Sequence, residues 1–202
     1  MKAFLQKSQS LLAYSTFIFG LIFLVSCSKD DPEEEHDHEE FSHIEFRIKT
    51  GHTEQKLTWA AEEEDHDEDH DDHDHESHGE FEGDDTIKLK NGTKSEVSIS
   101  IWNRHDGENE NVTEEIKEEV DVHQFFYEFS PDIVKIEPSS SDLKDSDGIN
   151  LLLFTDWTPS STGSGKVEIT LIHEPSNKRA TREQAGGDAD FEITIDFIVE
   201  EE

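Results

Sequence analysis

The sequence predicts an all-β protein: an antiparallel β-sandwich of immunoglobulin-like type with one short crossover helix. Three observations lead there. Apolar and polar residues alternate in eight or nine short runs, the two-residue period of a half-buried strand. Polar turns rich in Gly, Pro, Asn and Asp separate the runs. One segment, 113–120, departs from this period. Strands of this kind have one apolar face each, and two sheets stacked face to face bury both faces.

Taken in order, HIEFRIKT puts Ile44, Phe46 and Ile48 on one face, and QKLTWA adds Leu57 and Trp59. TIKLK (Ile87, Leu89) and SEVSISIW (Val97, Ile99, Ile101) flank Asn91-Gly92. That dipeptide favours a tight turn with positive φ, so the two runs are expected to pair as a hairpin. TEEIKEEV, 113–120, is the helix: Asn111 or Thr113 caps it, and Glu114 and Glu115 suit its positive N-terminal end. Its expected role is to cross between the sheets. QFFYEF, IVKI, NLLLFTDW and KVEITLIHE supply further strands. The last, DFEITIDFIVE, alternates over Phe191, Ile193, Ile195, Phe197 and Val199. No repeat of fixed period is present.

The N-terminus reads as an export signal. Lys2 and Lys7 precede an apolar run, Leu11 to Val25, which is shorter than the ~20 residues that span a bilayer. Leu24-Val25-Ser26-Cys27 follows and resembles the bacterial lipoprotein signal, in which the cysteine is acylated and becomes the first residue after cleavage. Cys27 is the only cysteine in the chain, so no internal disulfide is possible and lipidation accounts for the lone exported thiol. The expected division is therefore 1–26 signal peptide, 27–41 acylated cysteine and acidic tether, and 42–202 a single β-sandwich domain. Ser28-Lys29-Asp30-Asp31 and the glutamates after them resemble the signal that sends lipoproteins of Bacteroidota to the outer face of the outer membrane. Cleavage removes two lysines and no acid, so the formal charge passes from −34 to −36. Such a body repels nucleic acid and anionic headgroups and attracts cations.

Within the domain, 61–85 is expected to be a disordered, acidic, histidine-rich loop, since it lacks the apolar surface to offset the entropy of ordering. His66, His70, His73, His75 and His78 lie there among carboxylates. Neutral imidazole is the commonest protein ligand for transition metals, and a flexible loop can bring three or four of these rings to one ion. Asp69, Asp72, Asp74 and Glu76 can complete the shell or orient the rings. Zinc is the expected ion, loosely bound, with copper or nickel as alternatives, because histidine-rich tracts read as metal tracts. His36 and His38 in the tether and His123 and His173 in the body are secondary metal candidates. For the last two, a fold-supporting role with satisfied hydrogen bonds is the first expectation. Asp145-Ser146-Asp147-Gly148 resembles part of a calcium loop, but Leu143 occupies the first ligand position, so a polar turn is expected.

Four segments, NVTEEIKEEVDVHQFFYEF, KDSDGINLLL, GKVEITLIHEPSNK and GGDADFEITIDFIVE, resemble small outer-membrane lipoproteins of Bacteroidota, over roughly residues 40–200. Some members are described as type 1 periplasmic binding fold proteins. The resemblance implies a compact β domain, no established activity, and a setting beside TonB-dependent receptors. That binding fold is α/β, and the strand periodicity here argues against it. The histidine tract reads as an insertion the family pattern does not require.

No thiol nucleophile survives acylation, and neither a glycine-rich phosphate loop nor a serine elbow is present, so a non-enzyme is expected. The expected function is metal capture at the outer surface, with transfer to a TonB-dependent receptor. The alternative is a structural or adhesion lipoprotein whose acidic loop is a solvated brush.

Overall fold

Two sheets face each other across the alternating apolar residues. The computed structural model describes residues 41–61, 79–105 and 108–201. The elements within them are β1 (His43–Thr50), β2 (Thr53–Ala61), β3 (Gly79–Phe81), β4 (Thr86–Lys90), β5 (Ser95–His105), β6 (Glu108–Asn111), α1 (Thr113–Glu118), β7 (His123–Ser130), β8 (Val134–Pro138), β9 (Phe154–Pro159), β10 (Gly163–His173), α2 (Arg182–Ala185) and β11 (Asp188–Glu200). The first sheet runs β3-β2-β1-β5-β9-β8, with β6 also on β5; the second runs β4-β11-β10-β7. The all-β sandwich expected from the periodicity is the fold.

The inward faces are those the alternation marks. Ile44, Phe46 and Ile48 of β1 are buried in one core cluster with Val167, Ile169 and Leu171 of β10 and the alternate residues of β11. Toward one end, Trp157 packs edge-on against Tyr127 and Phe129, with ring centroids 5.7 and 5.1 Å apart. Such edge-to-face pairs each add about 0.5–1.5 kcal/mol beyond the area they bury. Phe41, assigned to the tether from sequence, belongs to this core: it is buried and meets Phe191 edge-on at 5.8 Å.

Helix α1 makes the expected crossing, from β6 in one sheet to β7 in the other. The Asn111 side chain accepts the Thr113 amide at 3.0 Å. The Thr113 hydroxyl is buried instead, donating to the Ile101 carbonyl and accepting the Ile101 amide.

Several expectations are corrected. The Asn91-Gly92 turn exists, with Gly92 at φ 71°, but it does not close a hairpin. β4 lies in the second sheet, parallel to β11, while β5 lies in the first. The turn's amides bond to two other strands: Asn91 N–H to the Glu200 carbonyl and Gly92 N–H to the Pro159 carbonyl. The β4–β11 pair also makes the second sheet mixed rather than wholly antiparallel. The NLLLFTDW strand begins only at Phe154, because Leu152 sits at φ 65° and the Asp142 carboxylate, rather than a ladder, takes the Leu152 and Phe154 amides. Finally, Ala61 and 79–81 are strand, so the interruption is narrower than 61–85.

The edge of β4 away from β11 is closed by a side chain. Gln55 of β2 donates its Nε2 to the Thr86 carbonyl at 2.6 Å and accepts the Lys88 amide on its Oε1 at 3.0 Å. One amide group thus takes the place of a strand at an edge that would otherwise invite pairing.

Candidate functional site

The metal ligands expected from sequence, His66, His70, His73, His75, His78, Asp69, Asp72, Asp74 and Glu76, lie outside the described residues, as do Cys27, His36 and His38. What the structure places is the root from which the tract departs. β2 ends at Ala61 and β3 begins at Gly79, and these two residues are direct antiparallel partners. The tract is therefore the connection of a β2–β3 hairpin, its two ends one strand spacing apart. The root is packed tightly. The Trp59 ring lies against Gly79, where any Cβ would collide with the indole and with the Ala60 carbonyl.

Beside the root, the Ala61 amide bonds to the Ser42 carbonyl at 3.0 Å, so the chain enters the domain next to the point where the tract leaves it. His43 is on the outer face of the same sheet, paired with Ala60 on one side and Trp102 on the other. Its ring stacks on Trp102, with centroids 5.5 Å apart and planes 7° apart, and its Nδ1 is 3.2 Å from the Ser42 hydroxyl. Away from the root the face is a lattice of mixed charges: Glu45 takes both Arg47 and Lys56, and Arg47 also faces Glu54. Opposite charges paired across strands favour the register and neutralise acids locally.

A second polar cluster occupies one end of the second sheet. His123 and His173 are register partners of β7 and β10, and their rings stack at 4.9 Å with 15° between planes. The register shifts between Leu171 and Ile172, leaving Asp190 as an extra residue on β11. This bulge turns its carboxylate inward, where Oδ2 is 3.6 Å from His123 Nε2 and both side chains are 3% exposed. His123 Nδ1 donates to the Glu119 carbonyl at 3.3 Å, and Glu119 Oε2 is 3.7 Å away. Burial pushes the His123 ring below the usual imidazole range. The Glu119 contacts oppose that shift, while His173 and Lys178 reinforce it.

His123 is packed into the buried end of the second sheet with a hydrogen bond to the Glu119 carbonyl, and His173 stacks on it. In a near-parallel stack the in-plane lone pairs do not converge, whereas zinc requires nitrogens at about 2.0–2.1 Å on one centre. Among the described residues, no three His, Cys, Asp or Glu side chains are placed to hold an ion.

Sequence reasoning missed Lys178. Its ammonium is 3.3 Å from Asp145 Oδ2, with the two side chains 8% and 5% exposed, and it donates to the Val120 carbonyl at 2.5 Å. Asp145 Oδ1 meanwhile accepts the Asp147 and Ile149 amides, so the Asp145–Gly148 stretch is the expected polar turn. Ser146 N–H to Asp121 ties that turn to the segment before β7. A lysine in a polar run such as PSNKR carries no sequence signal of burial; only its partners across the fold reveal it.

No protein-family model and no curated protein matches the chain.

Proposed function

We propose that the protein is a lipid-anchored lipoprotein of the outer-membrane surface, similar to small lipoproteins of Bacteroidota, that captures zinc through the 62–78 tract. We propose further that it passes the ion to a TonB-dependent transporter. One observation carries the reading: five histidines fall within a single connection whose ends, Ala61 and Gly79, are β partners. The sheet already bears the cost of closing that loop, so an ion bridging two or three imidazoles orders a shorter stretch than it would in a free tail. The formal charge of −34 raises the local concentration of divalent cations. Ser42, near the start of the described chain, accepts the amide of Ala61, the last described residue before the tract. Raw affinity would favour copper, and zinc follows from physiological supply.

The test is calorimetric titration of the domain with Zn2+, Cu2+, Ni2+ and Ca2+, for wild type and for a variant with His66, His70, His73, His75 and His78 all replaced by Asn. The expected result is more than one Zn2+ per wild-type chain, weakening as pH falls through about 6.5 as imidazole protonates, and little Zn2+ binding by the variant. Carboxylates alone would keep binding down to about pH 4 and would favour Ca2+. A variant that titrates like wild type would remove the tract from consideration and leave the structural or adhesion reading.

A further inference from the structure

We propose that β8 is a self-pairing edge: two copies of the protein join antiparallel along it, on a two-fold axis at Ile136, and so continue the first sheet from one copy into the other. The sheet edges differ in how they are closed. Gln55 covers the edge of β4, β3 is only three residues long, and at the edge of β7 the Leu151 carbonyl takes the Phe125 amide. β8 ends the first sheet and, among the described residues, pairs only with β9.

The bonding to β9 shows which backbone groups are left over. The Ser160 amide bonds to the Ile133 carbonyl and the Ser139 amide to the Phe154 carbonyl, so the odd-numbered residues from 133 to 139 face β9. Backbone groups alternate sides along an antiparallel strand, so Val134, Ile136 and Pro138 turn theirs to the open edge. An axis at Ile136 uses this set well. Ile136 exchanges both bonds with its own copy, and each Val134 amide meets the Pro138 carbonyl of the second copy. Proline has no N–H to return, which leaves only the Val134 carbonyl to water.

The side chains select the register. Lys135 and Glu137 are exposed on the outer face and hold each other at 2.8 Å. With the axis at Ile136, each Lys135 lies opposite the second copy's Glu137 in a non-hydrogen-bonded pair, where side chains come closest. That exchanges the contact within each copy for two between copies. An axis one residue away sets Lys135 against Lys135 or Glu137 against Glu137, which is unfavourable. Within one copy, Glu137 is the register partner of Asp156, a like charge held by Lys94. The incoming lysine sets an opposite charge on the other side of Glu137. On the inner face, Ile136 packs against the core yet is only half-buried at this last strand, and its copy covers it. A self-complementary contact of this kind closes as a dimer. One short strand from each copy is a small interface, so the dimer is weak and reversible.

Sedimentation velocity on residues 28–202, which include every described residue, tests this. EDTA removes any bridging by metal, so the result is independent of the metal reading. Salt at about 0.15 M screens the repulsion between two acidic copies beyond about 8 Å. The sedimentation coefficient of wild type should rise between about 10 µM and about 1 mM as the dimer forms. Lys135→Glu alone, or Glu137→Lys alone, makes both cross-strand pairs repulsive and should weaken the dimer about five- to thirtyfold. The double exchange, Lys135→Glu with Glu137→Lys, restores opposite pairs at unchanged net charge and should recover the dimer. An equimolar mixture of the two single variants should do the same. Both side chains are exposed, so the fold should be kept, which circular dichroism checks. Wild type monomeric throughout, single variants that associate like wild type, or a double exchange that stays dissociated would each overturn the proposal. So would association that appears only after 62–78 is replaced by Asn-Gly, which would give the edge to the tract.

Discussion

Replacing Gln55 by Ala tests how the sandwich is closed. The substitution removes both contacts across the β4 edge: the Nε2 donor to the Thr86 carbonyl at 2.6 Å and the Oε1 acceptor of the Lys88 amide at 3.0 Å. Thr86 is half-buried and Lys88 is exposed, so water can replace much of what is lost. At a net ~0.5–1 kcal/mol per bond, the lower part of the usual range, the expected loss is roughly 1–2 kcal/mol. For a domain of this size that corresponds to a melting temperature lower by roughly 3–6 °C. Gln55→Glu sharpens the test, since it keeps the acceptor for Lys88 but turns a carboxylate toward the Thr86 carbonyl; it should cost at least as much as Ala. Urea denaturation monitored by tryptophan fluorescence measures both. The midpoint should fall with little change in slope, because the surface exposed on unfolding is nearly the same. The opened edge should also show concentration-dependent association in light scattering. A Gln55→Ala protein within 0.3 kcal/mol of wild type and no more associated than wild type at high concentration would refute the idea that this amide stands in for a strand.

Four further outcomes are expected. Lys178→Met strands the Asp145 carboxylate with only its two backbone donors and frees the Val120 carbonyl; it should cost about 1–3 kcal/mol, and adding Asp145→Asn should recover part of it in a double-mutant cycle. In wild type, burial acts to raise the Asp145 carboxyl, but the Ile149 amide, Lys178 and the Asp147 amide together hold it below its ordinary value; its contribution to stability is present above pH ~3.9 and is lost on further acidification, which acid titration of Lys178→Met against wild type measures. Replacing 62–78 by Asn-Gly joins Ala61 to Gly79 as a two-residue hairpin and should move the melting temperature by no more than about 2 °C, measured by calorimetry. Cys27→Ala should appear in the soluble fraction or as an uncleaved precursor on cell fractionation, and unchanged membrane association with normal cleavage would sink the lipoprotein reading.

The sequence by itself determined which residues form strands and which side of each faces inward. A two-residue period is local: Ile44, Phe46 and Ile48 point one way whatever their strand pairs with, and all three are buried. It also set the chemistry of the tract, which depends on residue type rather than on packing. Tertiary structure decided which strands are neighbours. Asn91-Gly92 specifies a turn, yet the turn joins two sheets, because β4 buries Ile87 and Leu89 beside β11 and leaves the turn amides to Glu200 and Pro159. Leu151 and Leu153 are apolar enough for a strand, but Asp142 captures the neighbouring amides and redirects the chain. β6, with the sequence ENEN, has no apolar residue to signal it and exists through its pairing with β5. The meeting of His123, His173 and Asp190 depends on a strand register and a bulge that join residues far apart in the chain. Local rules act through period and turn geometry. Pairing follows from burial and from the need of every backbone donor for an acceptor, and both are settled only when the whole chain is in place.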